Sequence, residues 1–315
     1  MNIQHALHQF CEYSQFIRGY SKSTIARYRS TIGFFIKTAD VSDVSEVTDQ
    51  VVRQFLWFGR TQRNWQASSF ITYHKSLAVF FRWCITQGYM HGENPADGIE
   101  MPKLEKKLPP KLNQDEAMRI LETAMNFPYK YKFLRYRNHA IFSVFLFAGL
   151  RKGELLGLKF TDVDLENRTI FVRQGKGSKD RIVPMSGTLA ASLRTYLGER
   201  QRLNKTCPEF FASLNRNVGF TDIGLRRLIR KLKSASGVNF SAHKLRHSFA
   251  TMMLEGGCDI YSLSRMLGHS DIKTTTIYLA ATAEHLRGEM RKHPLECIGN
   301  ANVSKQREKA GNVAM

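Results

Sequence analysis

The sequence predicts a mainly α-helical protein in two domains, the second carrying one small antiparallel β-sheet. Three observations carry that expectation. The chain has 315 residues, which suits about two domains. Its first hundred residues show three- and four-residue apolar spacing, the signature of helices. A single pair of alternating apolar stretches, near residues 169–173 and 181–185, flanks a glycine-rich turn as a β-hairpin would.

In the first region, Ser21, Ser23 or Thr24 is placed to cap a helix that runs past Tyr28 to Phe35, with Ile25, Tyr28, Ile32 and Phe35 on one face. A second helix opens at Ser68 or Ser69 and continues to about Gln87, where Gly88 is a natural stop. Trp57, Trp65 and Trp83, all the tryptophans, fall in this region and are expected in its core. Residues 93–111 then hold Pro95, Pro102, Pro109 and Pro110, with Lys103, Lys106 and Lys107 among them, as an extended linker would. The expected division is a helical domain at 1–101, a linker at 102–112, a second domain at 113–295 and a flexible tail at 296–315.

The second domain begins with a helix capped by Asn113 or Asp115. A strongly apolar helix follows, from about Arg137 to Ala148, ending at Gly149. Strands at Thr169–Arg173 and Arg181–Met185 flank the turn at 175–179, and helices dominate again afterwards.

Charge narrows the function. Lys and Arg number 47 against 27 Asp and Glu, a net of +20. Residues 1–100 hold 10 basic and 8 acidic side chains, while the remainder holds 37 and 19 and so carries +18. A hydrophobic content of 43% excludes a disordered polycation. The longest apolar run, Ala140–Leu150, is well short of the roughly 18 residues of a membrane span. Neither a secretory signal nor a CxxC pair is evident, and the five cysteines are odd in number and widely spaced. A cytoplasmic protein with a polyanionic partner, nucleic acid first, is the expectation.

Four local signals could carry chemistry. Gly149-Leu150-Arg151-Lys152-Gly153-Glu154 sets an arginine where a buried helix ends and another begins. Gly175-Lys176-Gly177-Ser178-Lys179 puts a lysine at a hairpin tip, where glycines allow close approach to a backbone. His243, Arg246 and His247 fall within one arc of about 100° on a helix opening after Ser241, with Leu245, Phe249, Met252 and Met253 opposite. No carboxylate or cysteine nearby in sequence completes a metal site there. Leu267-Gly268-His269 marks a helix end, nine residues before Tyr278.

Taken in order, these strings resemble the tyrosine recombinases, the phage integrase family: Gly149-Leu150-Arg151-x-x-Glu154-Leu155, Gly175-Lys176-Gly177-x-Lys179-x-Arg181, His243-x-x-Arg246-His247, Leu267-Gly268-His269 and Tyr278. Asn94-Pro95-Ala96 before Pro102-Lys103, and His293-Pro294, are similar to the Xer-like branch. The resemblance covers residues 1 to about 295. It implies a SAM-like core-binding domain followed by a recombinase catalytic domain, with Arg151, Lys176, His243, Arg246, His269 and Tyr278 as the catalytic set and Glu154 and His247 in support. No cofactor or metal is implied. Tyr278 would attack a DNA phosphate to give a 3′-phosphotyrosine bond and a free 5′-hydroxyl. Arg151 and Arg246 would bind the non-bridging oxygens, and Lys176 would protonate the leaving 5′-oxygen. A free tyrosine has a pKa near 10, so a base or positive field must help it, and the sequence leaves open whether His243 or His269 does so.

The implied partner is double-stranded DNA, bound by a homo- or hetero-tetramer on two recombining sites, with no membrane. Lys22, Arg27, Arg29, Lys75, Arg82, Lys179 and Arg181 are candidate DNA contacts. Two alternatives remain: a type IB-like topoisomerase, which shares the arginines, lysine, histidine and tyrosine, and a non-catalytic DNA-binding regulator on the same fold, against which the complete residue set argues. The resemblance begins near residue 1, leaving no room for an additional arm-binding domain. That favours a Xer-like, plasmid, integron or transposon recombinase acting in integration, excision or resolution.

Overall fold

A computed structural model describes residues 1–104, 110–173, 180–268 and 275–276. The chain divides into two compact units, at 1–106 and 107–315.

In the first unit, helices α1 (Ile3–Glu12), α2 (Lys22–Ala39), α3 (Asp49–Thr61) and α4 (Ala67–Thr86) surround an aromatic core. Ser21 caps α2, accepting a hydrogen bond from the Thr24 N–H. Asn2 and Thr48 cap α1 and α3 in the same way, in stretches where the sequence singles out no individual helix. A π-helical turn, Tyr13–Ile17, follows α1. Phe10, Phe35, Phe80 and Phe81 are fully buried, and Phe35 meets Phe55 and Phe81 edge to face. Trp83 is buried in this core as expected, and Trp65 stacks on Tyr73 at 3.9 Å. Gly59, inside α3, is explained by Trp65, whose ring lies 2.1 Å from where a Cβ would stand. Trp57 corrects the expectation for the tryptophans, because it is 70% exposed on α3.

The second unit is built around α6 (Lys132–Phe147), which packs against α5 (Gln114–Asn126), α8 (Gly187–Arg202) and α10 (Ala242–Glu255). Asn113 and Glu116 form a reciprocal capping box at α5. The α6 helix starts one turn earlier than its apolar run suggests, because Phe133 is also buried. Arg137 is buried with it. The guanidinium lies 4.2 Å over the Phe220 ring and donates to Asn138 Oδ1 and Ala212 O, and burial pushes its pKa down to about 10.

A three-stranded antiparallel sheet follows in the order β1 (Val163–Asp164), β2 (Thr169–Val172), β3 (Arg181–Pro184). The hairpin register sets Val172 opposite Arg181 and Ile170 opposite Val183. The two-residue β1 is too short to leave a periodic signal and was not anticipated. Helices α7 (Lys152–Gly157), α9 (Asp222–Ser236) and α11 (Ile260–Leu267) complete the described part of this unit. Phe249, Ala250 and Leu254 of α10 pack on Leu263 and Leu267 of α11, fixing the end of α11 beside α10.

No helix among the described residues is long and apolar enough to cross a membrane.

Candidate active site

Three chain segments deliver the site. The first is the break between α6 and α7. Gly149 takes φ +60°, a left-handed conformation that side chains resist. A Cβ there would also stand 2.2 Å from the Phe249 ring. This turn places Arg151 at the N-cap of α7 and Glu154 in its first turn. Glu154 accepts from the Arg151 backbone N–H at 2.7 Å and from Arg151 Nη1 at 2.7 Å.

The second segment is α10. Ser241 caps it, and its first two turns carry His243, Arg246 and His247. His247 Nε2 lies 2.7 Å from His243 Nε2, so one ring N–H is shared between the two imidazoles. Arg246 is only 4% exposed. Its Nη1 donates to Gly149 O at 2.6 Å and its Nη2 to Leu267 O at 2.5 Å, with Glu154 Oε2 3.8 Å from Nη1. Arg246 thereby ties the α6–α7 turn to the end of α11.

The third segment is that end itself. A helix C-terminus leaves carbonyls without intrahelical partners and carries partial negative charge. Three guanidiniums meet it. Arg181 Nε donates to Met266 O at 2.8 Å, Arg246 Nη2 to Leu267 O, and Arg151 Nη2 to Gly268 O at 2.9 Å. Gly268 closes α11 at φ +64°, and His269 is the next residue in the chain.

Glu154 is the anionic hub. Besides Arg151, it accepts from Arg181 Nη1 and Nη2, each at 2.8 Å. Burial alone would raise its pKa, but the hydrogen bonds and charge of Arg181, with the bonds from Arg151, hold it at about 2. The site therefore keeps a carboxylate at any ordinary pH, surrounded by three cations. The His247 pKa is lowered as well, which for an imidazole favours the uncharged form. Burial, then the neighbouring His243 and Arg246, hold its pKa down at about 4, and burial and Arg246 also lower that of His243. A neutral His247 can share a proton with His243 without setting two cations side by side.

That shift has a sign that can be tested. A histidine whose folded pKa lies below its unfolded value of about 6.5 contributes stability fully above that value. The contribution is lost as pH falls from there towards 4. Urea unfolding should therefore show lower stability at pH 5 than at pH 7, and His247→Gln should flatten that slope. An unchanged slope in the variant would contradict the assignment.

Gly149 offers a second test. Gly149→Ala must adopt a strained φ and push Phe249 aside, which should cost about 2–4 kcal/mol in chemical denaturation. A variant as stable as the parent would mean that the turn is not held as described.

The structure thus brings together Arg151, Glu154, Arg246, His243 and His247. Lys176, Lys179, His269 and Tyr278 lie outside the described residues. Of the candidate DNA contacts, Lys22, Arg27 and Arg29 are exposed on α2, and Lys75 and Arg82 on α4. Arg82 is 3.7 Å from Asp97. Arg181 departs from expectation: its side chain does not stand out from the surface but is 8% exposed and engaged with Glu154. The signal was present in the strand period, since Arg181 shares the face of buried Val183 while Ile182, between them, is exposed. A second pair that the sequence did not disclose, Arg173 to buried Asp162 at 2.5 Å, secures the outgoing end of β2. Among the described residues, no group of three His, Cys, Asp or Glu side chains is placed to hold a metal ion.

Comparison with known proteins bears on the family and the fold. The phage integrase family matches residues 110–285, and the phage integrase N-terminal SAM-like domain matches residues 7–90. Tyrosine recombinase XerC of Oceanobacillus iheyensis is 32% identical over 296 residues, covering 90% of this chain and 94% of that protein. The crystal structure of XerA recombinase superposes with a TM-score of 0.52 at 31% identity, covering 92% of this chain and 98% of that one. XerH site-specific recombinase bound to palindromic difH substrate, in a post-cleavage complex, shares the fold with a TM-score of 0.70 at 22% identity, over 91% of this chain and 83% of that one.

Proposed function

The chain belongs to the phage integrase family, the tyrosine recombinases, and on that premise we propose that it is a site-specific recombinase that cuts and rejoins duplex DNA through a 3′-phosphotyrosine bond. The observation that carries the reading is the convergence of Arg151 and Arg246 on one helix end, with Glu154 between them and His243 beside Arg246 on the same helix turn.

In this reading Tyr278 Oη attacks the scissile phosphorus, and the bond from phosphorus to the 5′-oxygen breaks. Lys176 gives a proton to that oxygen, which leaves as a hydroxyl. Arg151 and Arg246 face the non-bridging oxygens, where negative charge grows in the transition state. Planar, permanently charged donors held by backbone carbonyls need no rearrangement as it grows. Glu154 orients Arg151, and neutral His247 orients His243. His243 and His269 bond the phosphate and assist proton movement. Because the phosphodiester is exchanged for a phosphotyrosine ester, rejoining needs no external energy source. The N-terminal unit serves as the core-binding domain, using the exposed basic residues of α2 and α4 on the DNA backbone. Four protomers act on two sites.

A covalent-capture experiment tests this. The chain is incubated with fragmented genomic DNA of its source, stopped with detergent, and the protein-linked fragments are sequenced. A recombinase should yield one recurrent site with inverted half-sites. Adducts scattered without sequence preference would instead indicate a topoisomerase, and specific retention without any covalent adduct would indicate a regulator.

A further inference from the structure

We propose that Arg181 is a positioning residue for DNA cleavage, holding Glu154 and the end of α11 so that Arg151 and Arg246 stay net positive towards the phosphate. This rests on the recombinase reading above.

Each Glu154 oxygen accepts one bond from Arg151 and one from Arg181. Half of its described hydrogen bonding is therefore directed away from Arg151. The two parallel bonds from Arg181 are the fork geometry that only a guanidinium supplies. The remaining Nε–H reaches Met266 O, so one side chain binds both the anionic hub and the helix end.

Gly268 is fitted to it. A Cβ at that residue would stand 2.8 Å from Arg181 Cδ and 2.9 Å from Nη1. With its side chain 8% exposed, Arg181 is closed off from the surface role that its basic character suggests.

Among these four side chains, three guanidiniums face one carboxylate, a net of +2. Without Arg181 the net is +1, and Glu154, already 3.8 Å from Arg246 Nη1, can close on that arginine. The cationic pair would then be partly neutralised by its own protein before substrate arrives. The defect should therefore appear in the chemical step and not in DNA affinity.

The test uses the full chain and a nicked duplex carrying the captured site. Arg181→Ala and Arg181→Lys are compared with the parent for DNA binding by anisotropy, for cleavage rate at saturating DNA, and for melting temperature. Cleavage should fall at least about tenfold in both variants, short of the roughly hundredfold or greater loss from removing a direct donor. DNA affinity should stay within about threefold, because a buried side chain neutralises no phosphate. Combining Arg181→Ala with Glu154→Gln should cut no more slowly than Arg181→Ala alone, since a neutral amide no longer competes for Arg246.

Unchanged cleavage in the Arg181 variants overturns the proposal. So does a loss that lies wholly in affinity, or a double variant whose losses simply multiply. If Arg181→Ala fails to melt cooperatively, Arg181→Lys decides alone, on the same split between rate and affinity. A parent chain that forms no covalent adduct on any DNA overturns the recombinase reading itself, an outcome distinct from these.

Discussion

Arg246→Ala should reduce the rate of DNA cleavage by about 10²–10³-fold, while binding of the same duplex weakens far less. The expectation follows from how Arg246 is held. It is almost fully buried, and two of its N–H groups lock onto Gly149 O and Leu267 O, so its charge is fixed in place before any substrate arrives. A fixed donor stabilises developing charge without reorganisation, which is where its catalytic effect lies. Arg246→Lys should rescue little. A single ammonium group cannot reproduce a planar fork bridging two carbonyls on separate segments. Rates measured at saturating DNA, with melting curves for each variant, check this. A lysine variant that cuts within about threefold of the parent would show that charge alone suffices and that the fork geometry is immaterial.

Glu154→Ala should lower unfolding stability by about 3–5 kcal/mol, the cost of removing one partner from a buried ionic group. The Glu154 side chain is 6% exposed, and its loss removes the carboxylate that stands among Arg151, Arg181 and Arg246. Glu154→Gln keeps the shape and one acceptor oxygen, and should cost less. Urea titrations of the two variants against the parent measure both effects. Equal and small losses would mean that water or chain movement relieves the arginines, and that the hub is not structural. The acid limb points the same way: with a folded pKa of about 2, Glu154 contributes stability above its ordinary carboxylate range and loses it as pH falls towards 2.

What the sequence disclosed of this site was local. Helix caps were legible because a serine or asparagine before an apolar period has one physical use; Ser21, Asn113 and Ser241 all cap helices. The arc of His243, Arg246 and His247 was legible because it needs only the helical period. Gly268 as a helix stop was legible because glycine readily takes the left-handed conformation that ends a helix. What stayed hidden depended on partners far along the chain. Arg137 looks like a surface residue opening an apolar helix, yet its carbonyl acceptor is on Ala212 and its aromatic cover is Phe220. Arg181 reads as one more basic residue near a hairpin tip; the strand period sets it on the face of buried Val183, but its partner, Glu154, lies 27 positions earlier and is not disclosed by that period. Trp57 shows the opposite failure: aromatic character suggested core, but its place on the outer face of α3 leaves it exposed between Arg53 and Arg60, which line a surface groove with it.

The central claim is that this arginine-lined site serves a tyrosine nucleophile on DNA. Its most direct test is the identity of the covalent bond. After capture on a nicked duplex carrying the recovered site, the adduct is digested with protease and nuclease and the modified peptide is sequenced by mass spectrometry. The account predicts a nucleotide attached through a 3′-phosphate to Tyr278, and no adduct in Tyr278→Phe. A bond through a 5′-phosphate, a bond to any other residue, or an adduct that persists in Tyr278→Phe would contradict it.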